Sequence, residues 1–211
     1  MNDNRSYFYN ISSISNREEY AIICGLIPSG SKVIDLGCGD GTLLSLLKAK
    51  GIDGDGIDIS STAVAAAQKK GIKARQGRID MPLPDKKNSF DYAISNVTLQ
   101  MVMYPEVLLS EMKRIARKQI ITFPNFASFP NRLDLLINGR MPRAMIPGYE
   151  WYSTGHIHQL SLKDFEEFCK KNRIKISDRK HIYSKKIFFI PRFIQHLFPN
   201  IFVSIAVYIL N

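Results

Sequence analysis

The chain has 211 residues, 45% of them hydrophobic, and its 29 basic and 19 acidic residues give a formal net charge of +10. This length suffices for one domain with a full core, and the hydrophobic fraction is ordinary for a soluble globular protein. Cys24, Cys38 and Cys169 are scattered and lack CxxC spacing, which argues against a disulfide scaffold or a metal site such as zinc.

The start of the chain predicts no secretory signal, because residues 1–16 are polar and aromatic without an apolar core segment. The most apolar stretch, residues 201–210, is too short to span a bilayer, which takes about 20 residues, so we expect a buried strand there and no transmembrane segment. With the cysteine pattern, this predicts a cytoplasmic protein. Basic residues cluster in 170–192, which fits nucleic acid, an anionic partner, a membrane surface or simply a solvated basic surface.

Strands and helices alternate along the chain, without repeats or linkers, which predicts one α/β domain over residues 1–211 with a parallel sheet covered on both faces. Asn16 and Glu19 are a plausible capping pair for a first helix through Ile27. The further predicted helices are 42–50, 61–71, 105–117 and 162–171, the last with a Ser161–Asp164 capping box. The predicted strands are 32–36, 54–59, 73–76, 90–95, 119–123, 173–183 and 201–210.

The segment 124–160 is predicted to be irregular, because several prolines and glycines interrupt it. A loop of this length inside a compact domain usually carries function, so we interpret it as a lid or insertion.

The most informative pattern is Asp35-x-Gly37-x-Gly39-x-Gly41, which follows a predicted strand and precedes a predicted helix. A phosphate-binding P-loop would end in Gly-Lys-Ser/Thr, and no lysine is present. A dinucleotide fingerprint would need a third glycine at position 42, which is Thr42. The spacing resembles instead the first motif of class I S-adenosylmethionine-dependent methyltransferases. Glycines there let the backbone approach a ligand, beside the unpaired N–H groups of a helix start.

A second acidic residue supports this interpretation. Asp58 ends the second predicted strand, about twenty residues past the glycines, where a carboxylate can accept both hydroxyls of a ribose. The resemblance implies that Ile59 covers the adenine. It also implies that Asp35 and the loop residues Gly37, Cys38, Gly39 and Gly41 contact the cofactor. A nucleophilic role for Cys38 is conceivable, but we expect a small side chain that fills a tight turn.

Further cofactor contacts are expected after the third and fourth strands, since ligands of open α/β sheets bind at the carboxyl ends of strands. The family usually places a carboxylate where this chain has Arg78, so adenine recognition falls to the Ile79 backbone and Asp80. Asp80 could instead cap the turn at Met81. Asn96 leaves the fourth strand where it can contact the methionine portion of the cofactor.

Several phrases together resemble the MetW family, methyltransferase-like proteins associated with bacterial methionine biosynthesis, from about residue 30 onward. These phrases are Thr98–Gln100, Tyr104–Pro105, Phe123–Phe126, Gly139–Pro142, Trp151–Tyr152, Ile157–His158 and Asp164–Cys169. The resemblance implies a Rossmann-like, doubly wound, seven-stranded, mostly parallel sheet with an antiparallel last strand. It also implies S-adenosyl-L-methionine as cofactor and a link to homoserine O-acyltransferase as a possible protein partner.

Methyl transfer needs alignment of nucleophile and methyl group, and a base if the nucleophile carries a proton. Tyr152, His156 and His158 are the candidates at the edge of the predicted lid, and histidine suits the base role because its pKa is near neutrality. His158 could instead brace the following helix.

Three functions are therefore open. The first is a methyltransferase acting on a small molecule or another acceptor. The second is a cofactor-binding accessory protein that assists a homoserine O-acyltransferase. The third is an RNA methyltransferase that uses the basic C-terminal face. The Asp/Asn-Pro-Pro-Tyr/Phe segment of many base-modifying enzymes is missing after the fourth strand, which disfavours base modification. The apolar and basic segment 184–199 could also contact a membrane surface or a partner.

Overall fold

The structure, a computed structural model, describes residues 17–141, 155–184 and 187–211. Its strands are β1 (Lys32–Leu36), β2 (Asp53–Asp58), β3 (Lys73–Gln76), β4 (Phe90–Asn96), β5 (Ala116–Pro124), β6 (Ile176–Tyr183) and β7 (Val203–Leu210). Its α-helices are α1 (Glu18–Leu26), α2 (Thr42–Lys48), α3 (Ser61–Lys69), α4 (Pro105–Ile115), α5 (Phe129–Asn138), α6 (Leu162–Lys171), α7 (Arg192–Leu197) and α8 (Pro199–Phe202).

The strands form one seven-stranded sheet with the order β3-β2-β1-β4-β5-β7-β6. The pairs among β1 to β5 are parallel, whereas β7 runs antiparallel to both of its neighbours, β5 and β6. Six strands therefore share one direction and the last strand is inserted between β5 and β6. This confirms the predicted fold class.

The sheet carries a core on each face, because successive side chains of a strand point to opposite faces. Val33 packs with residues of α1 and α2 on one face. Its neighbour Ile34 packs with residues of α4 and α6 on the other. Adjacent residues of β5 and of β7 are divided between the two cores in the same way. The strands β1, β5 and β7 are consequently buried over most of their length, as expected where a sheet is covered on both sides.

Two of the described helices begin with a side-chain cap, and the cap of α6 is the predicted one. Ser161 Oγ accepts a hydrogen bond from the N–H of Asp164, and Asp164 Oδ2 accepts one from the N–H of Ser161, so the capping box of α6 is complete. Ser60 Oγ accepts a bond from Ala63 N–H at the start of α3. At the start of α1 the N-cap is Arg17, which makes no side-chain cap. The predicted capping residue Asn16 lies outside the described residues.

The prediction that 124–160 is irregular was wrong in part, because α5 occupies residues 129–138. Pro130 lies in the first turn of this helix. Backbone N–H groups in the first turn have no intrahelical acceptor, so the N–H that proline lacks costs no hydrogen bond there. Residues 142–154 of the predicted lid lie outside the described residues, so only its two flanks can be placed.

Several element boundaries also differ from the prediction. α4 ends at Ile115 and β5 starts at the next residue. β6 starts at Ile176 rather than at 173, since Arg173 adopts a positive φ of 54° just after α6. A residue with positive φ commonly follows the end of a helix, and this residue is usually glycine. β7 starts at Val203, because the two preceding residues belong to α8.

Within the ranges that the structure describes, no helix is both long enough and apolar enough to cross a bilayer.

Candidate cofactor site at the carboxyl ends of the strands

The loop that follows β1 turns across the tip of β2. The N–H groups of Gly37 and Cys38 both donate to the carbonyl oxygen of Ile57, at 2.8 and 3.0 Å. Gly37, Gly39 and Gly41 have φ values of 90°, 55° and 71°. Only glycine adopts this region without steric cost, so the alternate spacing of the glycines follows from the backbone path.

Two of these glycines are also required by close packing. A Cβ at Gly37 would lie 2.5 Å from the side chain of Thr98, which follows β4. A Cβ at Gly41 would lie 2.9 Å from the Cβ of Ala67 in α3. The glycine loop is therefore wedged between the exit of β4 and the helix that follows β2.

At the predicted helix start after the glycines, part of the hydrogen-bonding capacity is used within the chain. Asp40 Oδ1 accepts hydrogen bonds from the N–H of Thr42, at 3.2 Å, and from its hydroxyl, at 2.7 Å. Lys70, at the end of α3, forms an ion pair with the same carboxylate. Asp40 thus anchors the start of α2 and is less available for a ligand than the glycine backbone.

Asp58 joins the second strand to the glycine loop. Its Oδ2 accepts a hydrogen bond of 2.8 Å from Gly39 N–H, and its Oδ1 accepts one of 2.9 Å from Ser60 N–H. A carboxylate has about four acceptor positions, and these two bonds orient it. The side chain is partly exposed, and Ile59 beside it is 37% exposed, which leaves an apolar surface next to the carboxylate.

Asp35 is the buried acid of the site. It is 2% exposed, and its Oδ1 accepts no hydrogen bond from any described residue. Burial, with a further contribution from the negative charge of Asp58, raises the pKa of Asp35 to about 7, although the nearby Arg17 guanidinium acts in the opposite direction. A buried oxygen without a donor is costly in a finished core, so it marks a position where a ligand can supply one.

Cys38 has a packing role. A Cβ at Gly56 of β2 would lie 2.6 Å from its Sγ, so the thiol occupies the space that this glycine leaves. Burial raises the pKa of the Cys38 thiol, and the negative charges of Asp35 and Asp58 raise it further. The thiolate, which is the nucleophilic form, is therefore disfavoured here.

After β3, Arg78 and Asp80 form a local ion pair. Asp80 Oδ1 accepts a 3.0 Å bond from Arg78 Nε, and Oδ2 accepts bonds of 2.9 Å from Arg78 Nη2 and from Met103 N–H. These bonds join the turn after β3 to the loop before α4. Ile79, between the two charged residues, has its side chain buried in the core.

The exit of β4 is held by β5. Asn96 Oδ1 accepts a hydrogen bond of 2.6 Å from the hydroxyl of Thr122, and Val97 N–H donates to the same residue. Val97 has a φ of 54°, which is rare for a β-branched residue and costs about 1–3 kcal/mol. Such strained backbone is concentrated at functional sites. Sequence reasoning missed Val97 and Thr122, because neither residue type signals its conformation or its partner.

The two candidate histidines lie beside the same exit. The Gln100 carbonyl accepts hydrogen bonds from Ile157 N–H, at 2.8 Å, and from His158 N–H, at 3.0 Å. The Gln100 side-chain amide lies 3.4 Å from His156 Nε2, and the His156 ring packs edge-on against Phe126, with ring centroids 5.4 Å apart. The third candidate, Tyr152, lies outside the described residues.

The site residues thus fall into two groups. The loop after β1, Asp58 and Asn96 meet at neighbouring strand ends, whereas both carboxylate oxygens of Asp80 are engaged by other parts of the chain. The site suits S-adenosylmethionine. The glycine backbone matches the carboxylate of this cofactor, a protein carboxylate matches the diol of its ribose, and the buried acceptor at Asp35 matches its amino group.

Several solved structures similar to this chain are described as methyltransferases. An S-adenosylmethionine-dependent methyltransferase from Mesorhizobium loti superposes with a TM-score of 0.66 at 17% identity, covering 93% of this chain and 98% of that one. A possible histamine N-methyltransferase from Thermotoga maritima has a TM-score of 0.64 at 18% identity, with coverages of 92% and 86%. A Haloferax volcanii methyltransferase complex with the activator Trm112 gives a TM-score of 0.63 at 17% identity, with coverages of 94% and 91%. Likeness at this identity establishes the fold.

Sequence comparison is more specific. A bifunctional methionine biosynthesis protein MetXA/MetW from Rhodopirellula baltica is 31% identical over an alignment of 180 residues, which covers 79% of this chain and 29% of that protein. A probable tRNA (uracil-O(2)-)-methyltransferase from Caenorhabditis briggsae is 36% identical over 59 residues, which are 28% of this chain and 10% of that protein. The chain therefore spans less than a third of the length of either relative. The family described as methionine biosynthesis protein MetW matches residues 17–210, and the chain belongs to this family.

Proposed function

We propose that this chain binds S-adenosyl-L-methionine at the carboxyl ends of β1, β2 and β4 and transfers its methyl group to a small-molecule acceptor. The observation that carries the proposal is the junction at Gly39, where the glycine loop and the partly exposed carboxylate of Asp58 are fixed to each other. The methyltransferase fold of the structural neighbours supports it.

Each part of the cofactor has a partner in this proposal. Asp58 accepts the ribose hydroxyls, and the exposed side chain of Ile59 covers one face of the adenine. Asp35 accepts the amino group of the methionine portion, and Asn96 contacts the same portion. The cofactor supplies a methyl group activated by its bond to a positively charged sulfur.

The acceptor is expected on the side where residues 155–160 meet the exit of β4. His156 and His158 are the candidates there for holding or accepting an acceptor proton, and Tyr152 remains a candidate from sequence. His156 is oriented by Phe126 and Gln100, which would fix its ring relative to the strained Val97 backbone. A fixed orientation is what an in-line displacement requires.

The test is a calorimetric titration with S-adenosylmethionine, followed by mass spectrometric detection of methylated products from a cell extract. We expect saturable binding and formation of S-adenosylhomocysteine that depends on the extract. The matched variants are Asp58→Ala and Asp53→Ala, since both positions lie on β2 but Asp53 is exposed at the opposite end of the strand. Equal affinity of both variants would contradict the proposed cleft.

A second function is favoured by one observation. In the Rhodopirellula baltica relative, the matching region is part of a bifunctional MetXA/MetW protein. Fusion of two functions in one chain is consistent with an accessory role, in which this chain binds the cofactor and assists a homoserine O-acyltransferase. This alternative predicts cofactor binding without methylated product, and an acyltransferase rate that changes when the chain is added.

A further inference from the structure

A second cleft lies beside β6, the edge strand opposite β3 in the sheet order. It has a volume of about 360 Å³ and is bordered by α5, α6, β6 and the α7–α8 connection. None of its lining residues belongs to the cofactor site, so a role for this cleft is independent of the proposed function.

The cleft carries excess positive charge. Its charged lining residues are Arg132, Lys163, Glu166 and Arg179. Glu166 is neutralised by Arg179, whose Nη1 lies 2.6 Å from its Oε1. Arg132 and Lys163 form no ion pair with any described residue, so two positive charges are left at the cleft. An anionic group would complement them.

The rim of the cleft is apolar and exposed. Leu197 and Phe198, which line the cleft, are 68% and 49% exposed, and Phe193, one turn before Leu197 on α7, is 71% exposed. On α5, Leu136 lies one turn after Arg132, which lines the cleft, and is 82% exposed. Phe188 and Phe189, which precede α7, are 87% and 65% exposed.

The C-terminal part of this region contains no acidic residue. The last acidic residue of the chain is Asp178, and residues 179–211 contain five lysines and arginines. Bulky apolar side chains that protrude beside cations match the boundary between the anionic headgroups and acyl chains of a bilayer. α5 is consistent with this, since none of its residues is buried although it contains four leucine or isoleucine side chains.

We propose that this basic apolar face (Arg132, Leu136, Lys163, Phe193, Leu197 and Phe198) docks the protein on an anionic lipid bilayer. In this arrangement a lipid phosphate enters the cleft between Arg132 and Lys163. The apolar rim inserts among the upper acyl segments. The whole-chain charge of +10 adds long-range attraction to such a surface.

The test is co-sedimentation with vesicles of phosphatidylglycerol and phosphatidylcholine, and with vesicles of phosphatidylcholine alone, at 0.1 M salt. We expect binding to the anionic vesicles only, weakened by added salt. The double variant Phe193→Ser/Leu197→Ser should lower partitioning at least tenfold, and so should Arg132→Glu/Lys163→Glu. Circular dichroism and S-adenosylmethionine titration check that each variant remains folded.

Two controls match these variants. Leu46→Ser removes an exposed leucine from α2, and Lys86→Glu/Lys87→Glu changes the net charge by the same amount in an exposed turn. Both should bind vesicles like the unmodified protein. If the controls lost as much vesicle binding as the test variants, overall charge or hydrophobicity would explain the effect. That result would overturn the assignment of this face.

Three other results would also overturn the proposal. One is absence of binding to anionic vesicles. Another is complete displacement by millimolar glycerol phosphate, which would make the cleft a site for a soluble anion. The third combines absence of vesicle binding with self-association in analytical ultracentrifugation that the Phe193→Ser/Leu197→Ser variant loses. This result would assign the face to a second copy of the chain.

Discussion

The Oδ2 atom of Asp58 lies 2.8 Å from the backbone nitrogen of Gly39, so the end of β2 holds the loop that follows β1. One carboxylate thus has two tasks in the proposed site. It fixes the glycine backbone, and its partly exposed carboxylate is the proposed acceptor for the hydroxyls of a ribose.

Replacement of Asp58 by alanine should therefore weaken S-adenosylmethionine binding by about 2 kcal/mol or more, because charged hydrogen bonds to the ligand and to the loop are both lost. Calorimetric titration measures the change. Asp58→Asn, which keeps the shape but removes the charge, should have an intermediate affinity. An asparagine variant as weak as the alanine variant would assign the whole effect to the charge.

Gly37→Ala should destabilise the protein by about 3 kcal/mol, since the new Cβ would lie 2.5 Å from Thr98 and the residue has a φ of 90°. The matched control is Gly25→Ala in α1, where nothing lies within 4 Å of the new Cβ. Alanine is the better helix former, so this control should be neutral or slightly stabilising. Urea unfolding measures both variants, and similar midpoints would contradict the packing described here.

Stability should depend on pH through Asp35. Its pKa is raised in the folded protein to about 7 from an ordinary value of 3.8, so the folded state holds this proton more tightly than the unfolded state. The stabilisation is fully present below pH 4 and is lost as the pH rises to about 7, by at most about 1.4 kcal/mol per pH unit. Asp35→Asn should remove this part of the pH dependence in urea unfolding measured from pH 4.5 to 8.

Ligand binding should have the opposite pH dependence if Asp35 accepts the cofactor amino group, because the ionised carboxylate is the better acceptor. We expect affinity for S-adenosylmethionine to rise between pH 5.5 and 7.5 in the unmodified protein. The same titration of Asp35→Asn should be nearly flat. A slope that persists in this variant would place the titrating group elsewhere.

Asp80→Asn should lower stability by about 1.5–3 kcal/mol, because the carboxylate accepts charged bonds from Arg78 and an amide bond from Met103. Its effect on S-adenosylmethionine affinity should be smaller than that of Asp58→Ala. Unfolding and titration are measured on the same preparations. Unchanged stability with a large affinity loss would instead support Asp80 as a direct ligand contact.

The three cysteines should react slowly with iodoacetamide in the folded protein. All three are buried, and burial raises the pKa of each thiol, that of Cys169 to about 12. Cys38→Ala should therefore retain cofactor binding, and mass spectrometry should find labelling only after unfolding. Rapid labelling of Cys38 in the native protein would reopen a nucleophilic role.

The sheet is predictable from sequence where apolar strands alternate with clear turn residues. β1 and β3 have the predicted bounds, since glycines or prolines interrupt the pattern near them. α5 is not predictable in this way, because Pro130 resembles a helix breaker although the first turn of a helix tolerates proline. The start of β6 is hidden because Arg173 takes a conformation that the sequence signals only for glycine.

The candidate site is predictable as far as local motifs extend. The glycine spacing and Asp58 identify which strand ends meet, because the order of βαβ units fixes that arrangement. The contacts of Asp80 with Met103 and of Asn96 with Thr122 are not predictable, since each pair is more than twenty residues apart in the chain. The basic apolar face is visible in sequence only as an unusual segment, because exposure depends on how α5 and α7 pack.

The double hydrogen bond at the Gln100 carbonyl has a mechanical consequence. The chain leading into α6 is attached to the same short turn that leaves β4. Displacement of that turn by an occupant beside Asn96 would pull Ile157 and His158 with it, and through them the start of α6.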